Sequence, residues 1–527
     1  MKKTTLQLLL LLLWAGIGAT AAPLTIDSST LIVATRQGLL RGSVQDSIYS
    51  WKGIPYAKAP EGDLRFRAPQ PPQSWTGIRD ATKFGPAAPQ NRRITKQPNG
   101  RGEDCLSLNI WSPVPDGKKR PVMFWIHGGG FLVGTGSSPL YDGANLAHNG
   151  DLIVVTINYR LGPLGFLYFG DIRGDQQGFE DNLGIRDQIA ALRWVKENIA
   201  AFGGDPDAVT IFGESAGAIS VQTLMGTPSA RGLFKRAIVE SGMAESLWQP
   251  KTATELTLRY LKMLKVSPDH LSDLKALNAD TLIDVMDRLI SELMHEPTTV
   301  KILEPTIDGK LIPSDLMSAI ASGSASGIDL MIGTNKDEST LLALKRIGIT
   351  PRNAAELAPY LANIEPEARQ RLIATYKNYP HRKGVYEMTT DGIFAMPAIR
   401  FSELQTAHAA TYMYRFDWSS APLRMVGLRA CHGLELPFVF GNTESGPGRT
   451  FTILSNRKTV RRISQQMQQS WINFARYGNP DPSSTRAWQR YEPTVRSTMI
   501  FDRTTCAIAD PKSEHRQVWS GLSIFRK

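Results

Sequence analysis

The run Gly213-Glu214-Ser215-Ala216-Gly217 has the form G-x-S-x-G. It lies between an apolar β-branched run, Val209–Phe212, and a helical pattern, Ala216–Met225. That order predicts a sharp strand-to-helix turn with Ser215 at its tip, where flanking side chains would collide and glycine is needed. The helix that follows would direct its positive end at the serine, where negative charge develops during attack on a carbonyl. Such a serine needs backbone donors for the oxyanion. His127-Gly128-Gly129-Gly130-Phe131 follows a second buried run, Val122–Ile126, and its bare glycines would let N–H groups approach a ligand closely. The donors expected are the N–H groups of Gly129, Gly130 and Ala216.

A base and an acid should complete the set. The chain has eight histidines. The chain order serine, acid, histidine excludes His127 and His148 and leaves His270, His295, His381, His408, His432 and His515. Of these, only His432 stands in a connection after a strand-like run, Thr411–Phe416, within Ala430-Cys431-His432-Gly433-Leu434-Glu435-Leu436-Pro437. The acid should lie between Ser215 and His432, just after a strand. Leu330–Gly333 leads into Thr334-Asn335-Lys336-Asp337-Glu338-Ser339, and spacing alone does not choose between Asp337 and Glu338.

The elements needed to position these groups are also visible. Short apolar runs at Val122–Ile126, Leu152–Asn158, Val209–Phe212, Leu330–Gly333 and Thr411–Phe416 read as buried strands. Helical patterns at Asp187–Phe202 and Ala216–Met225 fall between some of them. Alternation of this kind implies an α/β fold, a mostly parallel sheet covered by helices on both faces. Ligands of such sheets sit at the carboxyl ends of the strands, where every candidate above falls. Two charged, helix-like stretches, 252 to about 300 and 346 to about 402, contain no strand run and are expected as insertions over the site.

Composition sets wider bounds. Lys2 and Lys3, an apolar run Leu8–Leu13 and Ala19-Thr20-Ala21 form a secretory signal pattern, so residues 1–21 are expected to be removed and 22–527 to fold as a single unit exported to the periplasm or beyond. The apolar run is shorter than the roughly 20 residues of a spanning helix, and no later run is long enough. The net charge is +11, but no patch combines dense Lys/Arg with aromatics, so nucleic acid is not an expected partner. Lys118-Lys119-Arg120 and Arg461-Arg462 read as solvated surface. Three cysteines, Cys105, Cys431 and Cys506, allow at most one disulfide, so the core must hold the fold. No zinc-spaced cluster and no dinucleotide fingerprint occurs, and neither metal nor cofactor is expected.

Taken together, the chain closely resembles the type-B carboxylesterases, the group that also holds cholinesterases and bacterial p-nitrobenzyl esterases. The resemblance runs from about Val33 to Tyr491 through Gly53-Ile54-Pro55-Tyr56-Ala57, Glu103-Asp104-Cys105-Leu106, Asn158-Tyr159-Arg160 and Phe202-Gly203-Gly204-Asp205-Pro206. It includes the elbow at Ser215 and the run from His432 to Gly441. It implies the α/β-hydrolase fold and a Ser215-Glu338-His432 triad, with Asp337 a neighbour of the acid. Glu214 resembles the family's buried glutamate beside the nucleophile, and Ser241 the hydroxyl that supports the acid. Arg160 and Asp187 resemble a structural salt bridge, and Phe131 and Trp248 are expected to line the acyl pocket. Ala88 stands where the family often has a cysteine partner for Cys105. No tryptophan lies between Trp75 and Trp111 to hold a quaternary ammonium, so dedicated choline esterase activity is not expected. Ser339 replaces a common glycine. No lipid-anchor signal or tetramerisation helix is read after the last strand, and a monomer is expected.

The reaction implied is two-step hydrolysis of a small-molecule carboxylic ester by a serine esterase, through an acyl-enzyme. Two other readings remain. The chain could be a non-catalytic cholinesterase-like binding protein, although its three triad positions are intact. It could also hydrolyse a thioester, amide or carbamate, since the same triad serves all of them.

Overall fold

A computed structural model describes residues 31–91, 99–114, 116–172, 178–296, 303–484 and 487–525. The signal segment expected at residues 1–21 lies outside the described residues. Eleven strands form the main sheet, in the spatial order Cys506–Ala509, Ser497–Phe501, Thr411–Phe416, Asp329–Asn335, Arg236–Glu240, Gly204–Glu214, Arg120–Ile126, Ile153–Ile157, Ser107–Ser112, Ile48–Pro55 and Ser43–Gln45. From Ser497–Phe501 through to Ile153–Ile157 every neighbouring pair is parallel. The pairs at the two edges are antiparallel. A second sheet of three short strands, Ile32–Thr35, Gly38–Arg41 and Ile78–Asp80, lies in the first 80 residues.

Composition explains this placement. Parallel strands are covered on both faces, so they need apolar residues at successive positions rather than alternate ones. Arg120–Ile126 and Ile153–Ile157 are buried at every position. Successive side chains enter opposite cores: Phe124 and Val155 pack into one, and Met123, Trp125 and Val154 into the other. Helices Leu183–Asn198 and Ala216–Gly226 cover the first face, and Arg457–Tyr477 covers the second through Val460, Ile463, Met467, Trp471 and Phe474.

All five strands read from the sequence are present. Six further strands of the main sheet were not read: Cys506–Ala509 and Ser43–Gln45 are short edge strands with no buried residue, and the burial of the others is not written in an unbroken apolar run. Arg236–Glu240 shows why. It is buried throughout, yet begins with a cation and ends with a carboxylic acid. Arg236 donates to the Ala475 carbonyl oxygen at 2.9 Å, and Glu240 accepts from Trp471 Nε1 at 2.7 Å. Both partners lie more than 200 residues away, so local patterning cannot reveal the compensation.

The two strandless stretches are helical. The first holds Pro250–Leu264, Asp273–Ala276 and Ala279–Leu293. The second holds Ala354–Leu361, Pro366–Thr375, Arg382–Thr390, a π-helical turn at Asp391–Ala395 and Met396–Gln405. The three cysteines are free thiols, Cys105 and Cys431 buried and Cys506 exposed.

One buried ion pair ties the sheet to its covering helix. Arg160, just beyond Ile153–Ile157, donates to Asp187 on Leu183–Asn198 through Nε at 2.8 Å, Nη2 at 2.7 Å and its backbone N–H at 3.0 Å. Its Nη1 donates to the Arg67 carbonyl oxygen at 2.7 Å. Two residues on, Gly162 N–H donates to the Phe131 carbonyl oxygen at 2.7 Å, so this pair also fixes the glycine loop after His127. Removing one partner would leave the other charge buried and alone. Asp187→Ala is therefore expected to lower stability by about 3–5 kcal/mol in urea unfolding. A loss below about 1 kcal/mol would mean that the pair holds nothing together.

Candidate active site

Ser215 stands between the strand Gly204–Glu214 and the helix Ala216–Gly226 with φ 58° and ψ −123°, a conformation that L residues rarely adopt. Close packing requires it. A Cβ on Gly217 would collide with the Ile126 carbonyl oxygen, and one on Gly213 would lie 2.6 Å from the Gly217 backbone. The helix thus crosses directly over the neighbouring strand, and only glycine fits on either side of the serine. The turn continues the sheet: Ser215 N–H donates to the Glu240 carbonyl oxygen at 2.9 Å, and Ser241 N–H to that of Gly333 at 2.8 Å.

The glycine loop lies over this turn. A Cβ on Gly128 would come within 3.1 Å of Ser215 Cβ. Gly129 and Gly130 have φ of 114° and 61°, and the Gly129 carbonyl oxygen accepts from Leu132 and Val133 N–H, each at 3.1 Å. The N–H groups of Gly129, Gly130 and Ala216 donate to no acceptor among the described residues, which leaves them free for a ligand. His127 is buried and stacks on Tyr159 with ring centroids 4.5 Å apart, while Tyr159 Oη donates to the His127 carbonyl oxygen at 2.7 Å. Burial pulls its imidazole down to about 4, so His127 is neutral and serves the loop's shape.

His432 and Glu338 arrive from the ends of neighbouring strands, Thr411–Phe416 and Asp329–Asn335. His432 Nδ1 lies 2.6 Å from Glu338 Oε2. The other carboxylate oxygen accepts from Ser241 Oγ at 2.6 Å and from Asn335 N–H at 2.6 Å. Of the two adjacent acids, Glu338 meets the imidazole. Asp337 turns the other way, where its Oδ2 accepts from Ala430 N–H at 3.4 Å and its own N–H donates to the Ala430 carbonyl oxygen at 2.9 Å. His432 Nε2 faces Glu214 Oε1 at 3.1 Å, and Ser215 Oγ makes no hydrogen bond among the described residues. The serine and the imidazole are therefore neighbours of one carboxylate, Glu214, rather than joined directly.

Beside Glu214 and Glu338 lie two groups that sequence reasoning left without a role, Glu240 and Glu435. Glu214, Glu240, Glu338 and Glu435 are all buried. Burial raises Glu214 to about 7 and Glu240 to about 8, and it pushes Glu435 well above the usual carboxylate range. For His432, burial opposes the charged form, but Glu214 and Glu338 outweigh it and raise the imidazole to about 9. Asn335 Nδ2 joins the two connections by donating to Glu435 Oε2 and to the Cys431 carbonyl oxygen. Glu435 interrupts an apolar run only three residues past His432, and that polar break was its one visible signal. The Cys431 thiol is pushed up by burial, which leaves it a poor nucleophile.

The walls are partly aromatic. Phe394, in the π-helical turn, packs on His432 with ring centroids 5.3 Å apart. Asp391 anchors that turn: it accepts from Tyr376 Oη at 2.8 Å, lies 2.6 Å from His515 Nδ1 and pairs with Lys512. His515 thus belongs to a partly buried tie with Asp391. Phe131 is fully buried against Phe166, 4.4 Å between centroids, and has no surface open to a ligand. Trp248 keeps 7% of its surface and is held by backbone bonds to Pro305 and Ile307. Among the described residues no cluster of His, Cys, Asp and Glu is arranged to hold a metal ion.

Residues 29–519 match the carboxylesterase family. The para-nitrobenzyl esterase of Bacillus subtilis (strain 168) is 40% identical over 493 residues, 92% of this chain and 98% of that protein. The phenmedipham hydrolase of Pseudarthrobacter oxydans is 34% identical, covering 88% of this chain and 93% of its own. Among solved structures, a thermophilic PNB esterase superposes with a TM-score of 0.85 at 38% identity, over 93% of this chain and all of that one. The Geobacillus stearothermophilus carboxylesterase EST55 at pH 6.2 gives 0.82 at 40% identity, with the same coverage. A chain matched this far along its length, with the same arrangement of sheet and helices, belongs to the carboxylesterase family, carboxylic ester hydrolases built on the α/β-hydrolase fold.

Proposed function

We propose that the protein hydrolyses small carboxylic esters through an acyl-enzyme on Ser215, with His432 as the base and Glu338 as its orienting acid. The observation that carries this reading is the bond of 2.6 Å between His432 Nδ1 and Glu338 Oε2, set beside a serine held at positive φ at the head of a buried helix. Glu338 fixes the tautomer: Nδ1 carries the proton, and Nε2 is left to act on the serine. His432 takes the Ser215 proton as Oγ attacks the ester carbonyl. The oxyanion is received by the N–H groups of Gly129, Gly130 and Ala216, each worth about 3–4 kcal/mol in the transition state. The alcohol leaves with the proton from His432, and water then repeats the sequence on the acyl-enzyme.

Ser241 acts by holding Glu338, and Glu214 by drawing Nε2 toward the serine's side of the cleft. In apo structures the serine–histidine bond is often loose and tightens only with substrate, which accords with Nε2 resting on Glu214 here. Trp248 borders the acyl group, while Phe131 acts from beneath by keeping the glycine loop in shape. In the same reading residues 1–21 direct export, 22–527 form one catalytic unit, and the enzyme works as a monomer. No helix among the described residues is long and apolar enough to cross a membrane.

The test is hydrolysis of p-nitrophenyl esters from acetate to laurate by the mature chain and by Ser215→Ala. Turnover is expected in the wild type and a fall of about 10,000-fold or more in the variant. A folded wild type inactive across the series would instead favour a binding protein. A second expectation concerns pH. The base must be neutral, and neighbouring carboxylates hold His432 above its ordinary value, so activity should rise with pH through a limb above 6.5. Glu214 and His432 titrate as a pair, and that limb belongs to both. Glu214→Gln removes a negative charge 3.1 Å from Nε2, which should move the kcat/KM limb to lower pH. A limb left in place would show that Glu214 does not act on the imidazole.

A further inference from the structure

At the carboxyl end of the central strands one row of residues crosses the sheet in register: Glu214, Glu240, Gly333 and Tyr414. Residues paired in this way leave the same face of the sheet, with Cα atoms about 4.8 Å apart on neighbouring strands. Phe212, Ile238, Met331 and Tyr412, two residues earlier in each strand, pack into the core under the helix Arg457–Tyr477, so the row faces that helix. Two carboxyl groups therefore lie side by side in a dry interior. Gly333 leaves its place in the row to Tyr414, because a Cβ there would stand 2.4 Å from the tyrosine ring. The ring leans over the third strand toward Glu240, and burial followed by the Glu240 carboxyl holds its phenol well above the ordinary range.

The polar atoms of this row are only half satisfied. Trp471 Nε1 donates to Glu240 Oε1 at 2.7 Å, while Glu240 Oε2 is shielded from solvent and has no partner. Tyr414 Oη, Glu435 Oε1 and Asn335 Oδ1 are in the same condition, and Glu214 Oε1, facing His432 Nε2 at 3.1 Å, makes no hydrogen bond either. Asn335 stands two residues beyond Gly333 and ties Glu435 to the row. The ionisable members all act on one another electrostatically. Unmatched polar atoms gathered in this way are the ordinary setting for enclosed water, which makes about three hydrogen bonds to such groups.

Glu214, Glu240 and Glu435 cannot share this space as three anions. Glu214 alone faces a group that can become cationic, whereas Glu240 and Glu435 each receive one neutral donor. Burial accordingly holds Glu240 at about 8, above Glu214 at about 7. The Glu240 proton then sits on Oε2, since Oε1 accepts from Trp471. The other titratable groups around the pair are Tyr141, Tyr414, Cys431, Glu338, Glu435 and His432, and burial keeps both phenols and the thiol neutral.

We infer that Glu240 is a positioning residue for the reaction of Ser215 and His432 proposed above. Its protonated Oε2, with the Tyr414 hydroxyl and through water enclosed between them, donates toward Glu214 and keeps a negative charge there, opposite the imidazole. An anion beside Nε2 favours the imidazolium that forms as His432 takes the serine proton. Glu240 touches neither substrate nor imidazole and acts only through Glu214.

The mature enzyme is compared with Glu240→Leu and Glu240→Gln. Leucine removes the donor, so the Glu214 carboxylate loses support and holds His432 less firmly in its charged form. The kcat/KM limb should move about 0.5–1 pH unit lower, the equivalent of one hydrogen bond, and the kcat plateau should fall. Glutamine should restore the limb. Its amide oxygen accepts from Trp471, and its NH2 group then replaces the Oε2 proton as donor. A residue that merely fills space would lower Tm in Glu240→Leu without moving the limb, and that result overturns the inference. So does a glutamine limb that matches leucine's. Infrared difference spectra of wild type against Glu240→Gln need neither turnover nor the leucine variant. At mildly acidic pH they should show one protonated carboxyl band lost, and loss of a carboxylate band instead overturns the inference. A folded wild type that turns over no ester would sink the esterase reading, a failure the infrared comparison keeps separate from this one.

Discussion

The constraint on which the rest depends is the passage of the chain from Glu214 to Ala216. A residue held at φ 58° and ψ −123° costs about 1–3 kcal/mol and persists only where its surroundings allow no alternative. Here they allow none. The helix behind Ser215 is buried at every position, and its first turn rests on the backbone of the strand ending at Ile126. Relaxing the serine would pull that helix from the core. The strain is thus offset by the packing of eleven residues, and the serine's direction is fixed before any substrate arrives.

The same logic governs the charges. Four buried carboxyl groups would be intolerable if all were ionised, because nothing in a dry interior stabilises so much negative charge. The structure answers in two ways. Glu240 and Glu435 are driven toward their neutral forms by burial, and each keeps one hydrogen bond, from Trp471 and Asn335 respectively. Glu338 receives two hydrogen bonds on one oxygen and His432 on the other. The imidazole therefore sits where a positive charge is most easily tolerated, which is what a base that must become cationic requires.

Much of this was legible because the chemistry is written locally. Glycines around Ser215 and after His127, and the strands before them, are contiguous in sequence. Glu338 needed more, since Asp337 is its equal in type and position. In the sequence only the family resemblance separates them, and in the structure the backbone turn does, committing Asp337 to Ala430. What could not be read are groups whose meaning lies in distant partners. Glu240 depends on Trp471, 231 residues away, and His515 on Asp391, 124 away. Phe131 shows the opposite failure: an aromatic beside the glycine loop suggests a pocket wall, yet the backbone turns its ring into the core.

The tie between Asp391 and the segment carrying Lys512 and His515 has a consequence in time. Phe394 reaches His432 from a turn whose buried carboxylate is balanced only by residues near the end of the chain, with Trp519 closing over Tyr376 at 2.7 Å. Ribosomes deliver Lys512 and His515 121 and 124 residues after Asp391. Until they emerge, Asp391 is an unbalanced charge and the wall beside His432 has no reason to close. The serine turn and the strands through Thr411–Phe416 can assemble earlier in synthesis, whereas the wall beside His432 gains its anchor only when Lys512 and His515 join Asp391.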